Sequence, residues 1–458
     1  MPQAVNGGEL ENQLQTRSAK PTMSRRVVIT GCGVVSPLGN TKETLWQALC
    51  AGESGVRPLT QFSTATLPMG YGGEVRDFAG KIDDFGPLAP AQKKTIRKGL
   101  KVMCREIKMG VAAAQLALTD AGLGADSCDP ERTGVIYGSD YIMTDPEEFE
   151  AGIRNCLTEN GKFEISQWPE SGIPQVTPLW LLKYLPNMPA CHVAIYNDLR
   201  GPNNSITVRE ASSNLAIAEA YSTIQRGHAD MILTGATGSR IHPLRTVHTA
   251  LQEDLACGDD DPAKVSRPFD LNRKGMVIGE GAGTMVLEEL DHAVQREANI
   301  LGEVVGYGSS TVMDQNAIGN QRQALENVMR QALRTSSLAP QDIGHVHAHG
   351  LSTRDCDRAE AVAIEKVFSE RAEPVPVAAA KSYFGNLGAA GGMIELISSL
   401  MAIRDGKLFK TLNYETPDPE CALNLANGRE GSAGDSVLNV NVTPQGQASS
   451  IVIRRYSA

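Results

Sequence analysis

The chain has 458 residues, 41% of them hydrophobic, with 45 glycines and a formal net charge of −10. That is enough apolar material for a large core, and the length suits two or three domains or one large duplicated fold. The acidic balance argues against general nucleic-acid binding, and no run of about 18 apolar residues offers a membrane-spanning helix. Nine cysteines scattered as singletons, with no zinc-ligand spacing, point to reduced thiols in a cytosol.

Residues 1–22 are polar, lack an apolar h-region and read as a disordered tail rather than a secretory signal. Either they are a real tail or translation starts at Met23, which opens "MSRRVVITG". "RRVVIT" then reads as a buried strand entering the loop "GCGVVSPLGN", followed by a helix in "TKETLWQALCAG". A long helical pattern runs from about Gln92 to Gly122, where glycine is a natural stop. "RTGVIYGSD" is a strand, residues 140–175 look irregular, and a helical segment follows in "VTPLWLLKYLPNMPACHVAIYNDLRGP". "SITVREASSNLAIAEAYSTIQRGHADMILTGAT" reads as buried strand, tight junction, helix and buried strand. The pattern then repeats: strands in "GTMVLEEL", "ILGEVVGYGSS", "HVHAHG", "PVPVAAAKS", "SVLNVNV" and "SSIVIRR" alternate with helices. Two rounds of alternation predict an α/β fold of two similar halves, with apolar strands covered on both faces.

Several motifs have an ordinary reading. "GCGVVSPLG" resembles half a dinucleotide fingerprint, but Ser36 replaces the third glycine and Pro37 disrupts the helix start. "GEGAG" runs into a strand, and no G-x-S-x-G is present. His345, His347 and His349 fall on one strand face, where three imidazoles could hold a metal; with no acidic or thiol ligand motif nearby, one useful histidine and two ordinary neighbours is the favoured reading. No cofactor is expected. "QKKTIRKGLK" contributes Lys93, Lys94, Arg97, Lys98 and Lys101, either a solvated helix face or a basic patch for an acidic partner.

Five motifs in order, "MSRRVVITGCGVVSPLGN", "SRPFDLNRKGMVIGEGAG", "HAHGLSTRDCDRAEA", "KSYFGNLGAAGG" and "TLNYETPDPEC", resemble the β-ketoacyl-acyl-carrier-protein synthases. The similarity is to the elongating synthase II type and to ketosynthase/chain-length-factor proteins, and covers residues 24 to 455. It implies the thiolase fold, two βα halves (24–290 and 291–458) in a five-layered α-β-α-β-α architecture, a cytoplasmic homodimer or heterodimer, and acyl carrier protein as partner. It also implies a catalytic set of one cysteine, two histidines and a lysine: a thiolate at a helix N-terminus takes the acyl chain, and the histidines stabilise the enolate formed on decarboxylation.

Carried over by position, the first histidine falls on His349, the lysine on Lys381 and its glutamate partner on Glu395, with Asp357 and Glu360 matching motif acids. The second histidine position is Asn386, and the nucleophile position is Glu210. Leu351 stands for the family's threonine, and "VTPQGQA" for its glycine-rich "GFGGTN" loop. A carboxylate cannot perform thiol exchange, so normal condensation is not expected. Three readings stay open: a chain-length-factor-like partner of an active synthase; a malonyl-carrier decarboxylase, which needs Glu210 protonated by burial; or an authentic 3-oxoacyl-carrier synthase with an unusual site, Ser212 and Ser213 being poor nucleophiles. Arg209 is the expected ion partner of Glu210.

Overall fold

The computed structural model describes residues 25–124, 127–258, 261–428 and 431–457; the expected N-terminal tail and the Met23 start lie outside them. Strand β1 (Val27–Val35) is followed by a small hairpin of β2 (Arg57–Pro58) and β3 (Tyr71–Gly72). The first half continues with β4 (Thr133–Ser139), β5 (Asn203–Thr207), β6 (Met231–Ser239) and β7 (Glu280–Glu289). The second contains β8 (Gly302–Thr311), β9 (His345–His347), β10 (Pro376–Ala378), β11 (Asn424–Leu425), β12 (Ser436–Val442) and β13 (Gln447–Arg454).

Duplication is written in the pairing. In the first half β1 pairs antiparallel with β7 and β7 with β6, while β6–β4 and β4–β5 are parallel. In the second, β8 pairs antiparallel with β13 and β13 with β12, while β12–β9 and β9–β10 are parallel. The halves join where Val27–Ile29 of β1 meets Gly302–Val304 of β8.

The main helices complete the layers. They are α1 (Pro90–Gly99), α2 (Arg105–Asp120), α3 (Ser212–Gln225), α4 (Pro243–Gln252), α5 (Gln321–Ser336), α6 (Arg354–Phe368) and α7 (Gly391–Asp405). α3 and α7 pack on each other and touch strands of both halves, forming the central layer. α2 covers β1, β7 and β6 on one outer side; α5 covers β8, β13 and β12 on the other, with α6 against it. α7 is buried along Gly391–Ile403, as a helix sheathed on all sides must be. The fold is the five-layered thiolase architecture.

The glycines of "GCG" have a packing role. A Cβ on Gly33 would lie 2.0 Å from the Ala113 carbonyl oxygen of α2, and one on Gly308 in "GYG" would lie 2.2 Å from the Val328 carbonyl oxygen of α5. Each half thus uses a small residue at the matching strand position to seat its outer helix, so the motif that resembled a dinucleotide loop is a strand–helix contact.

Three expectations need correction. The helix expected over Gln92–Gly122 is two helices, broken at Met103, whose backbone is extended (φ −125°, ψ 126°). The basic first piece buries only Ile96 while α2 buries ten residues, so the two cannot share one face. Within 140–175, Glu147–Asn155 is helical. β5 forms the sheet's outer edge and is not a buried strand; Asn203, Asn204 and Thr207 are exposed.

Candidate active site

At the strand–helix junction between β5 and α3 the chain turns through Arg209, which holds a left-handed φ of 48°, a conformation costly for a non-glycine residue. That turn delivers Glu210 into the interior, 1% exposed, at the N-terminal end of α3. A carboxylate is favoured there by the helix dipole, by about 0.3–1 kcal/mol.

Its principal partner is not the expected neighbour. Arg240, at the end of β6 and itself buried, donates from Nη2 to Glu210 Oε1. Arg209 Nε stands 3.5 Å from the other carboxylate oxygen and directs its closer contact, 2.5 Å, to Glu253. Glu253 also receives Arg240 at 2.9 Å, so two arginines and two carboxylates close a compact cluster. Burial alone raises the Glu210 pKa, but Arg240 and then Arg209 outweigh it and hold the carboxyl well below the usual carboxylate range. The protonated Glu210 required for a decarboxylating amide mimic is therefore disfavoured. Asn386 donates from Nδ2 to Glu210 Oε1 at 3.1 Å, and its Oδ1 accepts from the Gly388 N–H at 3.0 Å. Glu210 and Asn386 thus meet and bond to each other.

The rest of the set gathers beside them. His349 lies just beyond β9, in a loop pinned by acids of α6. Glu360 accepts from the N–H groups of His349 (2.6 Å) and Gly350 (2.8 Å), and Asp357 from those of Leu351, Ser352 and Phe269. Burial pushes the Glu360 carboxyl up to about 8 and that of Asp357 up to about 6. Lys381 donates to Glu395 on α7 and stands 3.3 Å from both His349 Nδ1 and Asn441 Oδ1. Burial, then Lys381, lowers the His349 pKa to about 4, leaving a neutral imidazole.

Four further residues were not identified from sequence. Arg240 and Glu253 are 30 and 43 positions beyond Glu210, in no motif; the one visible signal was an arginine ending an apolar strand, in "GSRIH". Asn439 and Asn441 project from β12, each donating to Glu395 Oε2, at 2.9 and 3.0 Å.

Other assignments resolve plainly. His345 and His347 both contact the Ser399 hydroxyl, at 3.0 and 2.8 Å, and their remaining ring nitrogens meet backbone groups of Ala433 and Ala380. Their nitrogens are therefore committed to the fold, and among the described residues no cluster of three ligands could hold a metal. Ser212 donates to the Ser139 carbonyl and Ser213 to that of Ala389, so neither hydroxyl is free to act. Cys356, in the first turn of α6, has its thiol held well above the ordinary value by burial first and by the nearby Asp357 and Glu360 carboxylates. In the basic run, Lys94, Arg97, Lys98 and Lys101 are exposed, while Lys93 pairs with Asp83 at 2.6 Å.

Fold and site together define a condensing-enzyme scaffold. Residues 24–293 match the β-ketoacyl synthase N-terminal domain and residues 301–415 its C-terminal domain, and the chain belongs to that family. It is 35% identical over 402 residues to 3-oxoacyl-[acyl-carrier-protein] synthase 2 of Coxiella burnetii, covering 88% of this chain and 91% of the relative. It is 33% identical to the protein of that name from Synechocystis, over 88% and 92% of the respective chains. Among solved structures, a β-ketoacyl synthase from Burkholderia phymatum superposes with a TM-score of 0.81 at 30% identity, covering 94% of this chain and all of that one. The ishigamide ketosynthase/chain length factor gives 0.78, and a type II polyketide acyl-carrier protein in complex with its ketosynthase gives 0.79, each at 26% identity over 95% of this chain and all of the other. The family places the chain in fatty-acid or polyketide elongation.

Proposed function

We propose that this chain is a non-condensing, chain-length-factor-like partner of an active ketosynthase, acting on chains borne by acyl carrier protein. The observation that carries the reading is the buried Glu210–Arg240 ion pair, with Asn386 bonded to the same carboxylate. Among the described residues no thiol stands at this junction, the carboxylate there is paired with an arginine, and the Asn386 amide is turned onto that carboxylate. The scaffold around them is intact. Lys381, Glu395 and His349 keep their mutual contacts, which supports a role for the fold after the loss of its chemistry.

Two surfaces support partners. The exposed cations Lys94, Arg97, Lys98 and Lys101, with Lys93 at their edge, offer an acidic carrier protein a docking face on an otherwise acidic chain. β5, at the end of the sheet, offers an edge along which a second synthase-fold subunit can add its own strand. The solved ketosynthase/chain length factor provides the precedent for such a pairing.

The test is the intact mass of malonyl-loaded and acyl-loaded carrier proteins incubated with the pure chain, alone and with a candidate ketosynthase. The reading expects no change alone and elongation only with the partner. Acetyl-carrier formed by the chain alone, and lost in Glu210→Ala, would establish a decarboxylase instead; a 3-oxoacyl product made alone would establish a synthase.

A further inference from the structure

We infer that Asn441 is a positioning residue that fixes His349 in the tautomer carrying its proton on Nδ1, so that Nε2 presents a lone pair, not a hydrogen, to the site. The Glu395 carboxylate and the His347 carbonyl can only accept. Asn439 Nδ2 lies 3.3 Å from the His347 backbone carbonyl oxygen and 2.9 Å from Glu395 Oε2, which fixes its amide as the donor on that side. Asn439 Oδ1 then accepts from Asn214 at 2.8 Å and from Asn441 Nδ2 at 3.0 Å. Asn441 Nδ2 also donates to Glu395 Oε2 at 3.0 Å. With both Nδ2 contacts made to acceptors, Asn441 must turn Oδ1 toward His349, and the two atoms are 3.0 Å apart.

An amide oxygen has no proton to give, so this contact is attractive only if the imidazole supplies one from Nδ1. Lys381 Nζ, 3.3 Å from the same nitrogen, is the competitor. Its closest acceptor is Glu395, and Asn441 Oδ1 lies at the same 3.3 Å as the ring nitrogen. Burial and the lysine's charge keep the ring neutral, so one proton is available, and Asn441 claims it. His349 Nε2 is buried and, among the described residues, has no hydrogen-bond partner.

The consequence deepens the non-condensing reading and rests on it. A donor is needed to stabilise a developing enolate oxygen. His349 Nε2 in this tautomer can only accept, and Asn386 Nδ2 already directs its hydrogens to Glu210 Oε1 at 3.1 Å and to Met276 Sδ at 3.0 Å. The site is set to receive a donor, such as a water or an amide N–H, and not a thioester oxygen.

The experiment is nitrogen–carbon correlation NMR on the full chain labelled at histidine, with the His349 signals identified by their loss in His349→Gln. The inference expects a protonated nitrogen bonded to Cγ and a bare nitrogen bonded to Cδ2. Asn441→Leu should move the proton to Nε2, since Lys381 then becomes the sole partner of Nδ1, and Asn441→Asp should restore it to Nδ1. A wild-type spectrum with Nε2 protonated would overturn the inference, as would an unchanged tautomer in folded Asn441→Leu. If that variant does not fold, the wild-type spectrum decides alone. The carrier assay tests the non-condensing reading separately, so either can fail without the other.

Discussion

Glu210→Gln tests the central ion pair most directly, because it keeps the shape of the side chain and removes its charge. Arg240 is 1% exposed and cannot recruit water in compensation. Removing one partner of a buried pair costs about 3–5 kcal/mol. Because Glu253 still reaches Arg240 at 2.9 Å, the low end is expected, about 3 kcal/mol. Unfolding entropies near 2.1 cal/mol/K per residue give about 1 kcal/mol/K for a chain of 458 residues. The melting temperature should therefore fall by about 3 °C. Calorimetry on Glu210→Gln, Arg240→Met and the double variant completes the cycle. Once either partner is gone, losing the other should cost little, so the singles should exceed the double in sum by about 2 kcal/mol or more. Additivity to within about 0.5 kcal/mol would refute the pair as the stabilising unit. The pH dependence carries a sign. The folded pKa of Glu210 lies below its ordinary 4.5, so the contribution is fully present above that value and is lost only as pH falls toward the folded pKa. The stability gap between wild type and Glu210→Gln should hold steady through neutral pH and close in strong acid.

Further outcomes follow from the same geometry. Glu210→Gln should not convert malonyl-carrier to acetyl-carrier, since an amide at position 210 restores neither missing donor; carrier mass spectrometry checks this. Burial raises the Glu106 and Glu360 carboxyls from 4.5 to about 8, so their contribution is full below pH 4.5 and is lost as pH rises through 8. Denaturant midpoints should decline between about pH 5 and pH 8 and level off above, and Glu106→Gln should flatten that decline. Reversing charge at Lys94, Arg97, Lys98 and Lys101 together should weaken carrier-protein binding about tenfold or more at low salt and much less at high salt, as calorimetric titration would read.

Much of the fold was legible because apolar periodicity and glycine placement act locally. The strand in "SVLNVNV" and the helix in "RDCDRAEAVAIEKVF" occupy Ser436–Val442 and Arg354–Phe368 as read. The break after α1 was not, because whether Leu100–Cys104 continues a helix depends on which face tertiary packing buries. At the centre, counting residues singled out Glu210 and Asn386, which the fold brings into hydrogen-bond contact. Counting did not yield their charge state. Burial favours a protonated Glu210, and the charge that opposes it is that of Arg240 across the junction, a contact that no spacing encodes. Asn441 was hidden for the same reason: its importance lies in two amide faces satisfied by residues from other elements.

The reach of one hydrogen bond also bears on how the chain is made. Glu210 and Asn386 are 176 residues apart, and Asn214 and Asn439 are 225 apart. At about 5–20 residues per second of synthesis, the junction before α3 is made roughly 9–35 s before Asn386 is added. Until the C-terminal half arrives, α3 has a sheet on one side only, and its other face is open to solvent and to chaperones. Arg240, only 30 residues behind, is available almost at once, so the ion pair can hold the nascent junction closed through that wait.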